Sequence, residues 1–218
     1  MKKVLIACVA LAFSVLSLAF DEPGTPAARW PVKTSLPTSA SLRKHAHPDL
    51  NKLIHLDPPP AYVRKQTRSV RIPGKVSGLA DGQMVQVDGY VHMLARDPDG
   101  DYHLQITESA DKITPCFIIE LPKPEAAFVA DAALRSSLET ARAKIRLGLL
   151  HDENKEPSSG GHVMAMVPKM RIIGQLFYDD QHTGAGRKGK LGCKELPSWE
   201  IHPVTKLSFL EPKKGNNR

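Results

Sequence analysis

Gln83-Met-Val-Gln-Val-Asp-Gly-Tyr-Val-His-Met-Leu94, then Asp97-Pro-Asp-Gly100, then Tyr102-His-Leu-Gln-Ile-Thr107, reads as two β-strands joined by a tight turn. Apolar and polar residues alternate along much of both runs, the period of a strand with one buried face. Between them Pro98 presets its own φ and Gly100 accepts a positive φ, as the turn requires. Gly89 falls inside the first run, where a bulge or sharp bend is expected.

Outward from this hairpin, Ser69 to Gly78 reads as an opening strand and Cys116 to Leu121 as a short later one. From Glu125 to Arg146 the period changes. Ala127, Ala130, Leu134, Leu138, Ala141 and Ile145 recur at three- and four-residue spacing, which predicts one amphipathic helix. Pro124 suits its first turn and Gly148 its exit. His162 to Tyr178 and Trp199 to Phe209 supply the last strands. The fold class is therefore mainly β with one helix, an α+β chain.

This order of elements resembles that of OB-fold binding modules, five-stranded Greek-key barrels with a helix between the third and fourth strands. The closing Trp199-Glu-Ile-His-Pro203 strand resembles one in small exported bacterial domains whose role is unassigned. The resemblance spans residues 69–210. It implies a ligand face on the second and third barrel strands, bordered by the loops joining strands one and two and strands four and five. It implies no catalytic residue, because fold does not fix function.

The N-terminus carries a second signal. Lys2 and Lys3 precede an apolar run from Val4 to Phe20, and Ser17-Leu-Ala19 places small residues where a signal peptidase cuts. Residues 1–19 thus read as a secretory signal peptide and the product as periplasmic or secreted; an uncleaved membrane anchor is the other reading. Residues 20–68 read as an irregular, Pro-rich basic arm, 69–210 as the barrel and 211–218 as a flexible tail. A short helix fits Asp49 to Leu56, and the arm reads as a linker or a strap over the domain.

The precursor's net charge is +7, and its excess is uneven. Asp21 to Lys75 holds ten Lys/Arg against four Asp/Glu, whereas Val76 to Arg218 holds eighteen against nineteen. The arm is basic and the domain nearly neutral, so the arm is the natural partner for an acidic protein or membrane surface. Two cysteines lie beyond the signal, Cys116 and Cys193, and in an oxidising compartment they are expected to pair.

Candidate site residues gather near the C-terminal end. The loop from Asp179 to Ser198 carries Arg187, Lys188, Lys190 and Lys194 among glycines, a composition suited to an anion and equally to a solvated loop. Tyr90, Tyr102 and Tyr178 are the candidate stacking surfaces for a nucleic acid, although aromatic residues make up only 6% of the chain. Asp179, His182 and His202, with Asp180 and Glu200, could hold a divalent metal that activates water. HExxH, paired CxxC, GxSxG and Walker patterns are all absent from the sequence. The expectation is a non-catalytic binding module for an anionic ligand, nucleic acid or acidic glycan, or for an envelope partner, with no resident cofactor. The alternative is a metal-dependent hydrolase using the Asp179 to His202 cluster.

Overall fold

The computed structural model describes residues 31–36, 44–63, 70–179, 189–193 and 197–211. The expected signal peptide and the 212–218 part of the tail lie outside them. Five strands close the barrel: β3 (Met84–Arg96), β4 (Tyr102–Thr107), β5 (Phe117–Leu121), β7 (Lys169–Tyr178) and β8 (Trp199–Phe209). Three minor strands accompany them, β1 (Lys75–Val76), β2 (Leu79–Ala80) and β6 (His162–Val163). The long β3 pairs with β7 through its first half and with β4 through its second. β4 pairs with β5 and β7 with β8, all antiparallel, and β5 closes on β8 in parallel through Ile118–Glu200 and Ile119–Ile201. The result is a closed five-stranded OB-like barrel, as the strand order predicts.

The Ser69 to Gly78 segment is not a barrel strand. Pro73 and Gly74, the latter at φ +102°, interrupt it, and only Lys75–Val76 pairs, with Leu79–Ala80. Its start is instead tied down by Asp81, which accepts from the Ile72 amide at 2.7 Å and pairs with Arg71 at 3.1 Å. The irregularity in β3 falls between Val91 and Met93 rather than at Gly89. Gly89 is small because Leu50 and Ile106 crowd it: a Cβ there would lie 3.1 and 3.0 Å from their side chains. The predicted strand from His162 to Tyr178 is split, with residues 164–168 outside the sheet. Pro168, which has no N–H to donate, contributes only its carbonyl, accepting from Val91 at 2.9 Å.

The long helix runs from Ala132 to Leu150, starting later and ending later than its periodicity suggests. Asp131 caps it, its carboxylate accepting from the Leu134 amide at 2.7 Å, a contact that contributes about 1 kcal/mol. Gly148 lies inside the helix because Phe209 packs where a side chain would stand. Leu134, Leu138 and Ile145 seal the barrel from this side.

The described segments of the N-terminal arm are part of the fold. Leu50, Leu53 and Ile54 of a five-residue helix, Leu50–Ile54, are buried in the core, each worth about 1.5–3 kcal/mol. Ala46 bridges to Val85 of β3, and the Trp199 indole donates to the Asp57 carbonyl at 2.8 Å. Tyr62 packs edge-on to Tyr178, which packs edge-on to Trp199. Cys116, just before β5, is bonded to Cys193, with Cα atoms 6.0 Å apart.

Candidate functional site

Strand alternation decides which side chains face out. Tyr102, Leu104 and Ile106 of β4 belong to the core, so His103, Gln105 and Thr107 take the outer face. In β5 Phe117, Ile119 and Leu121 point in, leaving Glu120 out; in β8 Trp199 and Ile201 point in, leaving Glu200 and His202 out. Register then aligns them. His103 stands opposite Glu120, and the parallel pairing brings His202 beside Glu120, so one row of His103, Glu120 and His202 crosses three strands.

An outer face of polar residues ordinarily meets water. Here His103, Gln105, Glu120, Glu200 and His202 are all buried, because two segments outside the barrel lie over them. Residues 31–36 come from the arm: the Lys33 ammonium is 3.3 Å from Glu120 and 3.8 Å from Glu200, and its carbonyl is 3.2 Å from His202 Nδ1. Residues 189–193 come from the loop before β8, where Gly189 closes on Gln105 and Lys190 pairs with Asp97. Asp97 and Asp101 come from the β3–β4 turn, held by the Gly100 amide donating to the Asp97 carbonyl at 2.9 Å. Asp97 lies 3.4 Å from His103 Nδ1, and Asp101 lies 3.2 Å from His202 Nε2. Glu120 joins the two halves, with Oε1 3.2 Å from His103 Nδ1 and Oε2 3.6 Å from His202 Nε2.

These contacts set the charge states. Burial opposes the ionised form of Glu120, but Lys33 and the His103 hydrogen bond hold its carboxyl well below the usual carboxylate range. Burial likewise opposes the Lys33 charge, yet Glu120, Glu200, Asp101 and Asp179 raise its pKa above the ordinary lysine value. For His103, burial pushes the pKa down, and hydrogen bonds to Asp97 and Glu120 more than reverse it, raising it to about 9.

A pH dependence follows. A histidine raised from 6.5 to about 9 contributes stability that is fully present below pH 6.5 and is lost as pH rises through 9. The shift corresponds to about 3 kcal/mol. Urea titrations in EDTA at pH 6 and pH 9.5 are expected to show wild type losing about 3 kcal/mol more than His103→Gln over that interval. Parallel losses in the two proteins would mean that folding does not raise the His103 pKa.

The residues expected from sequence separate. His202 and Asp179 lie at this site, both buried, and His202 meets Asp101 and Glu120; His182, Asp180, Arg187, Lys188 and Lys194 lie outside the described residues. Glu200 faces outward beside His202 and meets Lys33. Lys190 stands at the rim. Tyr102 and Tyr178 are core residues with no face open to a base; Tyr102 lies beneath the Arg142 guanidinium and Tyr178 between Tyr62 and Trp199. Tyr90 is half-buried with the Lys169 ammonium 5.2 Å over its ring. Lys33, Asp97, Asp101, His103 and Glu120 were not singled out by motif or spacing. Their signal in the sequence is faint: a polar residue at the outward position of β4 and of β5, and two aspartates in the turn between β3 and β4.

Comparison with known proteins adds little to this geometry. No protein-family model and no curated protein matches the chain. Among solved structures it is similar to an Entamoeba histolytica asparaginyl-tRNA synthetase at 12% identity and a TM-score of 0.33, over 63% of this chain and 23% of that one. The chain thus spans about a quarter of that protein, at a likeness that bears on neither ligand nor activity.

Proposed function

We propose that the chain is an exported OB-like binding module whose ligand site is the outer face of β4, β5 and β8, and that its ligand is anionic and rich in hydrogen-bonding groups, an acidic glycan. One feature supports a binding role above others: the face on which such barrels bind ligands is lined by buried hydrogen-bonding side chains and roofed by two segments, one of which sets Lys190 at the rim. In the sequence Arg187 and Lys188 adjoin Lys190, adding positive charge to the same loop. A glycan suits the face better than a single-stranded nucleic acid, because two of the three candidate stacking rings, Tyr102 and Tyr178, are committed to the core. Export is supported by the pattern of residues 1–19 and by the Cys116–Cys193 bond, which persists in oxidising compartments. Among the described residues no helix is long and apolar enough to cross a membrane.

The test is a fluorescence-anisotropy titration with a labelled acidic oligosaccharide and a single-stranded DNA, at low and physiological salt. Glycan binding that weakens with salt and falls about tenfold in the Arg187/Lys188/Lys190 triple alanine variant is the expected result. Binding of neither probe, or glycan binding indifferent to the variant, would sink the reading; tight DNA binding would replace the glycan with a nucleic acid.

A further inference from the structure

His202 is fully buried, and the described groups facing its two ring nitrogens are all acceptors. Nδ1 lies 3.2 Å from the Lys33 carbonyl oxygen, so this nitrogen carries a proton and donates it. Nε2 lies 3.2 Å from Asp101 Oδ2 and 3.6 Å from Glu120 Oε2. A lone pair cannot bond to a carboxylate oxygen. Either a second proton or a metal ion must stand between Nε2 and the two carboxylates.

The geometry points to a metal. We propose that Asp101, Glu120 and His202 bind one divalent transition-metal ion, zinc or manganese, on the outer face of the barrel. Donors about 2.0–2.2 Å from a tetrahedral centre lie about 3.3–3.6 Å apart, and Nε2 stands 3.2 and 3.6 Å from the two carboxylates, close to that spacing. All three ligand atoms fall within 4.8 Å of one another. Imidazole and carboxylate donors together suit zinc and manganese. The support expected of a metal-bound histidine is also present: Nδ1–H is anchored on a backbone carbonyl, which fixes the tautomer and aims Nε2 at the ion. Asp101 is held in turn by the Lys123 amide, which donates to its other oxygen at 3.0 Å. Three protein ligands leave a coordination position for water or for an oxygen of an anionic ligand.

Lys33 competes for this position. Its ammonium lies 3.3 Å from Glu120 Oε2, an oxygen the metal would use, and 3.8 Å from Glu200 Oε1, toward which it can withdraw. It belongs to the arm, not the barrel, and its side chain remains about one-fifth exposed, at 19%. Lysine and metal are therefore alternative cations for one anionic seat. The inference goes beyond the glycan reading: it concerns the floor of the face, whereas the anion is tested at the rim, and each can fail alone.

The experiment is isothermal titration of the EDTA-stripped full chain with zinc chloride and manganese chloride, with near-ultraviolet circular dichroism to report folding. Wild type is expected to bind one ion that His202→Gln abolishes and Glu120→Gln weakens by about tenfold or more. Lys33→Met is expected to bind about tenfold more tightly, since the competing ammonium is gone. An unfolded chain also binds zinc through its histidines, so the gain counts only where circular dichroism shows Lys33→Met folded, and on that condition this variant keeps the test decisive if the others are unstable. Zinc held by surface histidines such as His45 and His47 would survive His202→Gln. That outcome, or absence of binding in both wild type and Lys33→Met, overturns the proposal.

Discussion

Breaking the Cys116–Cys193 bond is expected to destabilise the protein by about 4 kcal/mol. The two cysteines are 77 residues apart in sequence, and a cross-link closing a loop of that size removes much of the unfolded chain's freedom. The bond also has a local role. Cys193 ends the segment whose Gly189 closes on Gln105 and whose Lys190 pairs with Asp97, and its carbonyl accepts from the Gly189 amide at 2.9 Å. Cys116 immediately precedes β5, the strand that carries Glu120. The bond thus ties the roof of the ionic network to its floor. Urea unfolding of wild type and the Cys116→Ser/Cys193→Ser variant measures the global cost, and hydrogen exchange at residues 189–193 measures the local one. A loss under about 1 kcal/mol would mean that packing alone sets the roof in place.

The barrel was legible because its strands carry one apolar face each and its turn residues are chemically specific. Asp97-Pro-Asp-Gly100 declares its turn, and Trp199-Glu-Ile-His declares which side chains point inward. The first segment misled for a related reason. Val70 and Ile72 have the spacing of a strand, but Pro73 and Gly74 break it, and Ile72 is buried by a side-chain hydrogen bond to Asp81 rather than by a ladder. Helix ends depended on the Asp131 cap and the Phe209 contact, and the second of these joins residues far apart in sequence.

The ionic network was harder to read because alternation says only that His103, Glu120 and His202 leave the core. It does not say that they avoid water. That depends on Lys33, which is 87 residues from Glu120 and lies in a Pro-rich arm whose composition argues for an irregular strap. Covering the face converts ordinary outward residues into a buried network, and this covering is a tertiary event with no local signature. The basic loop stood out through composition, whereas the acidic and histidine floor beneath it is assembled from β4, β5, β8 and one turn.

Arg142 supports that floor from the helix side, and replacing it is expected to cost about 3 kcal/mol. Its guanidinium is buried and donates to the carbonyls of Gly100, Leu121 and Pro122 at 3.0, 3.1 and 3.4 Å. It also stacks 3.4 Å from the centre of the Tyr102 ring, and Glu156 lies 3.7 Å from it. Gly100 precedes Asp101, and Leu121 follows Glu120, so the same cation clamps the backbone next to two residues of the network. In Arg142→Met the apolar stem is kept, but the carbonyls lose their donor and Tyr102 loses its cation partner. Arg142→Lys retains the charge without the planar fork and is expected to recover no more than about half the loss. The denaturation midpoint should fall with an unchanged slope, which separates lost stability from a changed unfolded state. Hydrogen exchange separates a clamp from simple packing. If Arg142 positions the site, the Gly100 and Asp101 amides exchange faster in Arg142→Met than global destabilisation requires, while β7 amides follow the global change. Uniform acceleration across both regions would make Arg142 a core residue with no particular hold on the network.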